Sequence, residues 1–279
     1  MPYLMTALFL WLSCQTAMER EDMRGRFVIE TTINGCKADV RLNDVHLIAW
    51  PGEFGNEITW FANQWILTGE NEIKVELDAP PEEVKARPSF KAELNYYEPD
   101  GDGFVGEAPS TTIATLEWSP PEGAEIQYPV NLFASGSVVD EQPKWAWVQA
   151  EVVGISPEAL QSGVEIVNSL VAAIRAKDAG KLDQLLELPN TETDLAYGLP
   201  KGSTAQGTII KEAWNESGWD VKDVSIDDVS LSLQGKGRLL EVTDKEGGPI
   251  IQAIDSAEDY QIELRVFLSK IDGKLVISR

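Results

Sequence analysis

Histidine and cysteine are scarce in this chain. Among its 279 residues there is one histidine, His46, and there are two cysteines, Cys14 and Cys36. A single imidazole excludes a multi-histidine zinc or iron site within one subunit, and a serine triad would have to use His46 as its base. One cysteine is expected to carry a lipid, and the single remaining thiol cannot build a cysteine-ligated zinc site. No Walker or dinucleotide-binding glycine pattern is present. We therefore expect neither an enzyme nor a bound cofactor.

Basic residues are also few. There are 23 Lys and Arg against 46 Asp and Glu, which gives a net charge of −23. Such a surface repels phosphates and anionic lipids, which argues against nucleic-acid binding and peripheral membrane binding. The charge instead favours a basic or cationic protein as the partner. Residues 1–153 carry −15 (10 basic, 25 acidic) and residues 154–279 carry −8 (13 basic, 21 acidic).

The N-terminus predicts export from the cell. Residues 3–13 are uncharged and lead directly into Cys14, but a spanning helix needs about 20 apolar residues, so this stretch is typical of a signal peptide. The sequence Trp11-Leu12-Ser13-Cys14 resembles a bacterial lipobox. The resemblance implies a signal peptide over residues 1–13, lipidation of Cys14, a tether over 14–25, and a periplasmic or outer-membrane-anchored lipoprotein of the cell envelope. The alternatives are a plain signal peptide, which would give a secreted protein, and a buried N-terminal strand.

Lipidation of Cys14 would leave Cys36 as the lone thiol. We then expect no disulfide, and we expect Cys36 to be buried as a small apolar residue. An uncleaved signal would instead allow a Cys14 to Cys36 bridge.

Residues 26–153 predict an all-β sandwich domain, because short alternating runs are separated by turn signals such as Asn-Gly, Pro-Gly and Asp-Gly-Asp-Gly. In residues 37–50, the two-residue turn Asn43-Asp44 predicts a hairpin. Its expected inward set is Ala38, Val40, Leu42, Val45 and Leu47, and its expected outward set is Asp39, Arg41, His46 and Ile48. His46 is accordingly predicted to be an ordinary surface histidine. The run Ile73, Val75, Leu77 alternates with charged residues in the same way.

Residues 39–47 and 63–77 together resemble the galactose-binding-like jelly roll. The resemblance lies in a strand that ends in Asn plus a turn, a later aromatic-aliphatic pair, and Gly69-Glu70-Asn71 leading into an alternating strand. Gly69 permits a tight turn and Asn71 can bond the local backbone. These positions determine the fold, so the resemblance implies a jelly roll and does not imply sugar binding.

From residue 154 the pattern becomes helical, and residues 154–279 predict a separate α+β domain. Ser156-Pro157-Glu158 is typical of a helix start, and an apolar stripe from Leu160 to Ile174 predicts a helix that ends near Lys177. A short second helix with Leu182, a polar loop over 189–203 and a third helix over 205–217 are expected to follow. Strands are then predicted over 224–233, 237–243, 249–255, 260–271 and 274–278.

The clearest of these strands is 260–271, in which one set of residues alternates with another. The first set is Tyr260, Ile262, Leu264, Val266 and Leu268, and the second is Gln261, Glu263, Arg265, Phe267 and Ser269. Asp272-Gly273 closes a hairpin. The opening helices (166–188) and the closing hairpin (272–277) resemble the cystatin-like or nuclear transport factor 2-like cone, a curved antiparallel sheet covered by helices. Residues 154–279 contain no histidine, so an Asp-His dyad of the kind found in enzymes of that superfamily is absent.

Two groups of residues are candidate ligand sites. The first group is a cluster of aromatic residues close together in the sequence: Trp50, Trp60, Phe61 and Trp65. A predicted strand also places Trp145 and Trp147 on one of its faces. These indoles form either an aromatic platform for sugars or part of a core. The second group, Glu98, Asp100 and Asp102, resembles the start of an EF-hand calcium loop. The twelfth residue of such a loop is a Glu, but Pro109 stands at that position here. The alternative for that segment is a polar hairpin turn. Acidic pairs such as Asp227-Asp228 are expected to be solvated surface.

These patterns favour a non-catalytic envelope lipoprotein that binds another protein as an adaptor, an inhibitor or an immunity-type protein. A carbohydrate-binding module is the alternative. A third interpretation is a small-molecule enzyme that uses a pocket in the C-terminal cone, which would require a buried carboxylate there.

Overall fold

The structure is a computed structural model that describes residues 24–52, 55–99, 110–203, 220–255 and 260–279, with the backbone alone for 220, 253–255 and 260–263. The described chain is mostly β, with four antiparallel sheets and a few helices. No helix in these ranges is both long enough and apolar enough to cross a membrane. The predicted signal peptide, Cys14 and the predicted helix over 205–217 lie outside the described residues.

The N-terminal half (residues 26–153) contains two four-stranded sheets. Sheet I has the order β4-β1-β6-β7 and sheet II the order β3-β2-β5-β8. The strands are β1 (Arg26–Asn34), β2 (Lys37–Leu42), β3 (Val45–Trp50), β4 (Asn56–Phe61), β5 (Gly69–Asp78), β6 (Ser89–Tyr97), β7 (Ser110–Trp118) and β8 (Val130–Val138). A 3₁₀ turn, Asn63–Trp65, separates β4 from β5.

Sheets I and II share one hydrophobic core, as their alternating patterns require. Ile29 and Leu94 of sheet I and Val40 and Ile73 of sheet II belong to the same buried cluster. Cys36 is fully buried in this core, as predicted, and burial raises the pKa of its thiol to about 11. The arrangement is that of a β-sandwich.

The predicted hairpin between β2 and β3 is confirmed. Asn43 and Asp44 both have positive φ, 52° and 66°, which is the backbone of a two-residue hairpin turn. The Asn43 amide donates to Trp65 O and Asn71 Oδ1, both at 2.8 Å, and its Oδ1 accepts from Glu72 N. Asn71 also bonds the backbone of Leu67, so it fixes the local turn as the sequence indicated.

One predicted orientation in this hairpin is wrong. Ile48 was expected to face outward, but it is only 5% exposed. The pairing shifts between Val40, which lies opposite Ile48, and Arg41, which lies opposite His46. The extra residue, Leu47, forms a β-bulge, and a bulge allows two neighbouring side chains to turn toward the same interior.

The C-terminal half (residues 154–279) combines helices with two further sheets. Its helices are α2 (Pro157–Arg175), α3 (Ala179–Leu185) and α4 (Glu187–Tyr197), and α1 (Ala146–Gln149) precedes them. Its strands are β9 (Asp220–Val221), β10 (Val229–Gln234), β11 (Leu239–Asp244), β12 (Ile251–Asp255), β13 (Tyr260–Leu264), β14 (Val266–Ile271) and β15 (Lys274–Ile277). Sheet III has the order β10-β11-β14-β15 and sheet IV the order β13-β12-β9.

Helix α2 begins as predicted and covers one face of sheet III. The Ser156 hydroxyl accepts from Ala159 N at 3.2 Å, and Pro157 occupies the first helical position. Gly163 lies against Leu268, Leu231 and Val242, where an added Cβ would meet their methyl groups at 3.6–3.7 Å. The apolar stripe of α2 therefore packs directly on the strands.

Three other predictions in this part of the chain are corrected. The segment with Trp145 and Trp147 is a short helix rather than a strand, and both indoles are buried. Residues 187–197, expected to be largely a polar loop, form helix α4; Pro189 lies in its first turn, where a missing N–H breaks no helical bond. The strand predicted over 260–271 is interrupted at Arg265, so that β13 belongs to sheet IV and β14 to sheet III. The hairpin at Asp272-Gly273 is confirmed.

Candidate functional site

The outer side of sheet II, which is exposed at β5 and β8, carries a row of charged residues around one aromatic ring. Because opposite residues in antiparallel strands share a face, the register of β5 with β2 and β8 defines this surface. We name it the acidic face. Its members are Lys37, Asp39 and Arg41 of β2, Glu70, Glu72, Lys74, Glu76 and Asp78 of β5, and Asn131, Phe133, Ser135 and Ser137 of β8.

Phe133 is the apolar centre of the acidic face and is 77% exposed. It lies directly opposite Lys74, and Glu72 and Glu76 occupy the two diagonal positions. Five acidic and three basic side chains share the face, and two of the bases already have acidic neighbours: Arg41 Nε lies 3.1 Å from Asp39 and Lys74 Nζ 3.8 Å from Glu72. An exposed aromatic ring with a charged surround is the composition of a protein-binding surface.

The tryptophan candidates are not brought together at the surface. Trp65 is 4% exposed, with ring centroids 6.0 Å from Trp147 and 5.6 Å from Phe267. Trp60 lies opposite Ile29 in sheet I, whereas Trp50 lies opposite Ala38 in sheet II, and both are partly buried against the core. The packing interpretation therefore holds for Trp65, and Trp50 and Trp60 lie on different sheets.

The remaining sequence candidates are only partly described. Glu98 is exposed just after β6, while Asp100 and Asp102 lie outside the described residues. Among the described residues no group of three His, Cys, Asp or Glu side chains could hold a metal ion. Asp227 and Asp228 are exposed in a 3₁₀ turn, as expected of solvated carboxylates.

The two halves meet at a junction that was not foreseen from the sequence. Its apolar part consists of Trp65 and Trp147 from the N-terminal half and Leu239 and Phe267 from sheet III, all buried in one cluster. Phe267 and Ser269, from the second set of the predicted strand, are 5% and 0% exposed. Sheet III is thus covered on one face by α2 and on the other by the N-terminal half.

A buried ion pair lies at the junction. Arg279 and Glu192 are 8% and 7% exposed and contact each other through Nη1 and Oε2. The Arg279 guanidinium lies 5.3 Å from the Trp65 ring centroid and 5.4 Å from that of Trp145, and its Nη2 donates to Gln64 O at 3.2 Å. Glu192 Oε1 also accepts from Ala146 N at 2.6 Å. One charge pair therefore joins α4, α1 and the 3₁₀ turn.

A second polar group at the junction contains His46. Arg265 Nη2 lies 2.7 Å from His46 Nδ1, and Arg265 Nε donates to Glu241 Oε1, also at 2.7 Å. Gln234 Oε1 accepts from His46 N at 3.2 Å and from Arg41 Nη1 at 3.3 Å. The prediction of an ordinary surface histidine is therefore wrong, because strand β14 brings Arg265 against the outward side of β3.

A small cavity lies on the C-terminal side of the junction. It has a volume of about 30 Å³ and is lined by Leu170, Leu186, Leu264, Arg265, Val266, Ile277 and Arg279. That space accommodates about one water molecule, whereas small-molecule sites usually measure hundreds of cubic ångströms. Three carboxylates are buried among the described residues: Glu192 and Glu241 are each paired with an arginine, and Asp194 Oδ2 accepts from Gly202 N at 2.6 Å. This cavity therefore offers no room for a substrate of the third interpretation.

One sequence pattern indicates that residues of the junction are buried. Val266-Phe267-Leu268 is a continuous apolar run, and such a run indicates a strand that is buried on both faces. The partners of these residues could not be inferred, because Arg265 and His46 are 219 positions apart and Arg279 and Glu192 are 87 apart.

Comparison of the chain with family models, curated proteins and solved structures found no match in any of the three.

Proposed function

We propose that this protein is a lipid-anchored protein of the bacterial cell envelope that binds a basic protein partner without turning over a substrate. An adaptor, inhibitor or immunity-type role fits this activity. In the same proposal Cys14 carries the lipid, residues 14–25 form the tether, the N-terminal half is a jelly roll and the C-terminal half is a cystatin-like or nuclear transport factor 2-like cone.

One observation carries the binding proposal: the exposed Phe133 among the carboxylates of the acidic face. Aromatic residues supply much of the energy at protein interfaces, because they bury a large area with few rotatable bonds. Acidic side chains around such a ring steer a positively charged partner and repel an acidic one. The net charge of −23 favours the same class of partner.

The most direct test uses a photo-crosslinking phenylalanine analogue at position 133 in cells that produce the protein. We expect an adduct with a basic envelope protein, and a lower yield of that adduct when envelope extracts are irradiated in high salt, because exposed charges are screened. The same analogue at Thr115, an exposed residue of sheet I, is the matched control. An adduct at 133 that contains glycan instead of protein would support the carbohydrate-binding alternative and contradict the proposal.

Single substitutions then measure the contribution of the ring. We expect Phe133→Ala to weaken binding of the captured partner about 10- to 30-fold, the range typical of an aromatic hot spot that contributes about 1.4–2 kcal/mol. Val152→Ala, at a residue that is 67% exposed elsewhere in the chain, should leave binding unchanged. Surface plasmon resonance measures both variants, and equal affinities for Phe133→Ala and the unmodified chain would contradict the proposal.

The charges require a separate comparison. Glu70→Gln with Glu76→Gln removes two charges from the acidic face, and Glu122→Gln with Glu125→Gln removes two from an exposed loop of the same half. We expect the first double variant to lower the association rate more than the second, because steering depends on where the charge lies.

A further inference from the structure

The environment of His46 fixes its protonation state. A guanidinium group can only donate hydrogen bonds, so His46 Nδ1 must accept the 2.7 Å contact from Arg265 Nη2. The imidazole proton then lies on Nε2, which is buried and has no hydrogen-bond partner in the described structure. The neutral ring is therefore the form that this site accommodates.

Four charged side chains surround the ring. Arg265 faces it from the break between β13 and β14, Glu241 from sheet III, and Asp39 and Arg41 from β2, the strand paired with β3. Burial and the positive charge of Arg265 lower the pKa of His46 and outweigh the opposite influence of Asp39 and Glu241; Arg41 lowers it further. The folded junction thus resists protonation of this residue.

We infer that the junction between the two halves is acid-sensitive, because a proton on His46 replaces its hydrogen bond to Arg265 with repulsion between two cations. Arg265 also donates to His46 O at 3.3 Å, and the neighbouring turn is bonded through Gly235 N to Asp44 O at 3.0 Å. Displacement of Arg265 therefore loosens the contact of β3 with β10 and β14. This inference does not depend on the partner proposed above.

The direction of the effect follows from the lowered pKa. Above about pH 6.5, the ordinary value for histidine, His46 is neutral in both the closed and the open junction, and the stabilisation is complete. As the pH falls from about 6.5 toward the lowered pKa, the open form binds the proton more readily and the stabilisation decreases. We therefore expect opening between neutral pH and about pH 5, above the ordinary range for carboxylates.

Nuclear magnetic resonance provides a test that needs no variant. Because the chain contains one histidine, its imidazole signals are unambiguous. We expect the Nε2–H tautomer at pH 7.5 and a titration midpoint below 6.5. The Nδ1–H tautomer, or a midpoint at or above 6.5, would overturn the inference.

Hydrogen exchange measures the junction itself. At pH 5.5 relative to pH 7.5, and after correction for the intrinsic pH dependence, we expect peptides covering 43–47 and 234–238 to exchange at least about threefold faster. A peptide covering 90–94, in the centre of sheet I, is the internal control. In His46→Asn, whose amide oxygen can accept from Arg265 but does not titrate, the increase should disappear. An unchanged junction in the native chain, or the same increase in His46→Asn, would overturn the inference.

Discussion

In strands β5 and β14 alternate residues point to opposite faces of the sheet, but the second faces of the two strands lie in different environments. In β5 the residues that point away from the sandwich core, including Lys74 and Glu76, are exposed on the acidic face. In β14 the corresponding residues, Phe267 and Ser269, are buried at the junction. Alternation therefore shows which residues share a face, whereas segments distant in sequence decide whether that face is covered.

The same contrast applies to charge. The Lys74 and Glu72 pair of β5 is 52% and 42% exposed, whereas the Arg279 and Glu192 side chains are 4% and 9% exposed. Exposed ion pairs contribute little because water screens them, but a buried charge that loses its partner is strongly unfavourable. Substitution of a charged residue on the acidic face should therefore cost little stability, whereas substitution of a charged residue at the junction should cost much more.

The largest expected effect concerns the buried ion pair. Arg279→Met leaves the Glu192 carboxylate without its guanidinium, and we expect it to lower the free energy of unfolding by about 3–5 kcal/mol. Lys74→Met is the matched change on the acidic face and should stay within about 0.5 kcal/mol. Urea unfolding followed by circular dichroism measures both. Similar small losses for the two variants would show that the Arg279 site is open to water.

The two phenylalanines allow the same comparison for apolar contacts. Phe267→Ala removes a ring that is 5% exposed and packed on Trp65, and we expect a loss of about 3 kcal/mol. Phe133→Ala removes a ring that is 77% exposed and should change stability by less than about 0.5 kcal/mol. Thermal and urea unfolding test the pair. A large loss for Phe133→Ala would mean that the ring supports the fold, and its binding data could then no longer be interpreted as a contact.

The smallest expected effect distinguishes the two hairpin turns. Asp44 and Asp272 both have positive φ, 66° and 49°, where glycine would be less strained. Asp44 Oδ2 accepts from Lys236 N at 2.9 Å across the junction, whereas no side-chain bond is described for Asp272. We expect Asp44→Gly to cost about 1 kcal/mol and Asp272→Gly to be neutral or to stabilise by up to about 1 kcal/mol. Urea midpoints that shift equally would remove the distinction.

The features predicted correctly are those whose cause is local. Ser156 caps the first turn of α2, and the ring of Pro157 fixes φ at a helical value. Asn43 and Asp44 both adopt the positive φ that the hairpin turn requires. Helix α4 was missed because its buried residues include Glu192 and Asp194, which have no apolar periodicity. These carboxylates are buried because they have partners such as Arg279, and no local sequence pattern predicts those partners.

The acidic face was accessible to sequence reasoning only in part. The alternation of β5 correctly predicted which of its residues face solvent, and the net charge predicted their sign. The exposed position of Phe133 beside Lys74 was not predicted, because only the register of β5 with β8 places the two residues opposite each other. His46 was assigned to the correct side of its strand but to the wrong environment, since the residue that covers it is 219 positions away.

Cys36 gives experimenters an internal reporter that needs no engineering. Its thiol has no exposure in the sandwich core, and with a pKa of about 11 it holds almost no thiolate at neutral pH. Alkylating reagents should therefore modify it only when sheets I and II separate. The rate of alkylation at Cys36, followed in the peptide that contains this residue, therefore reports opening of the core in which it is buried.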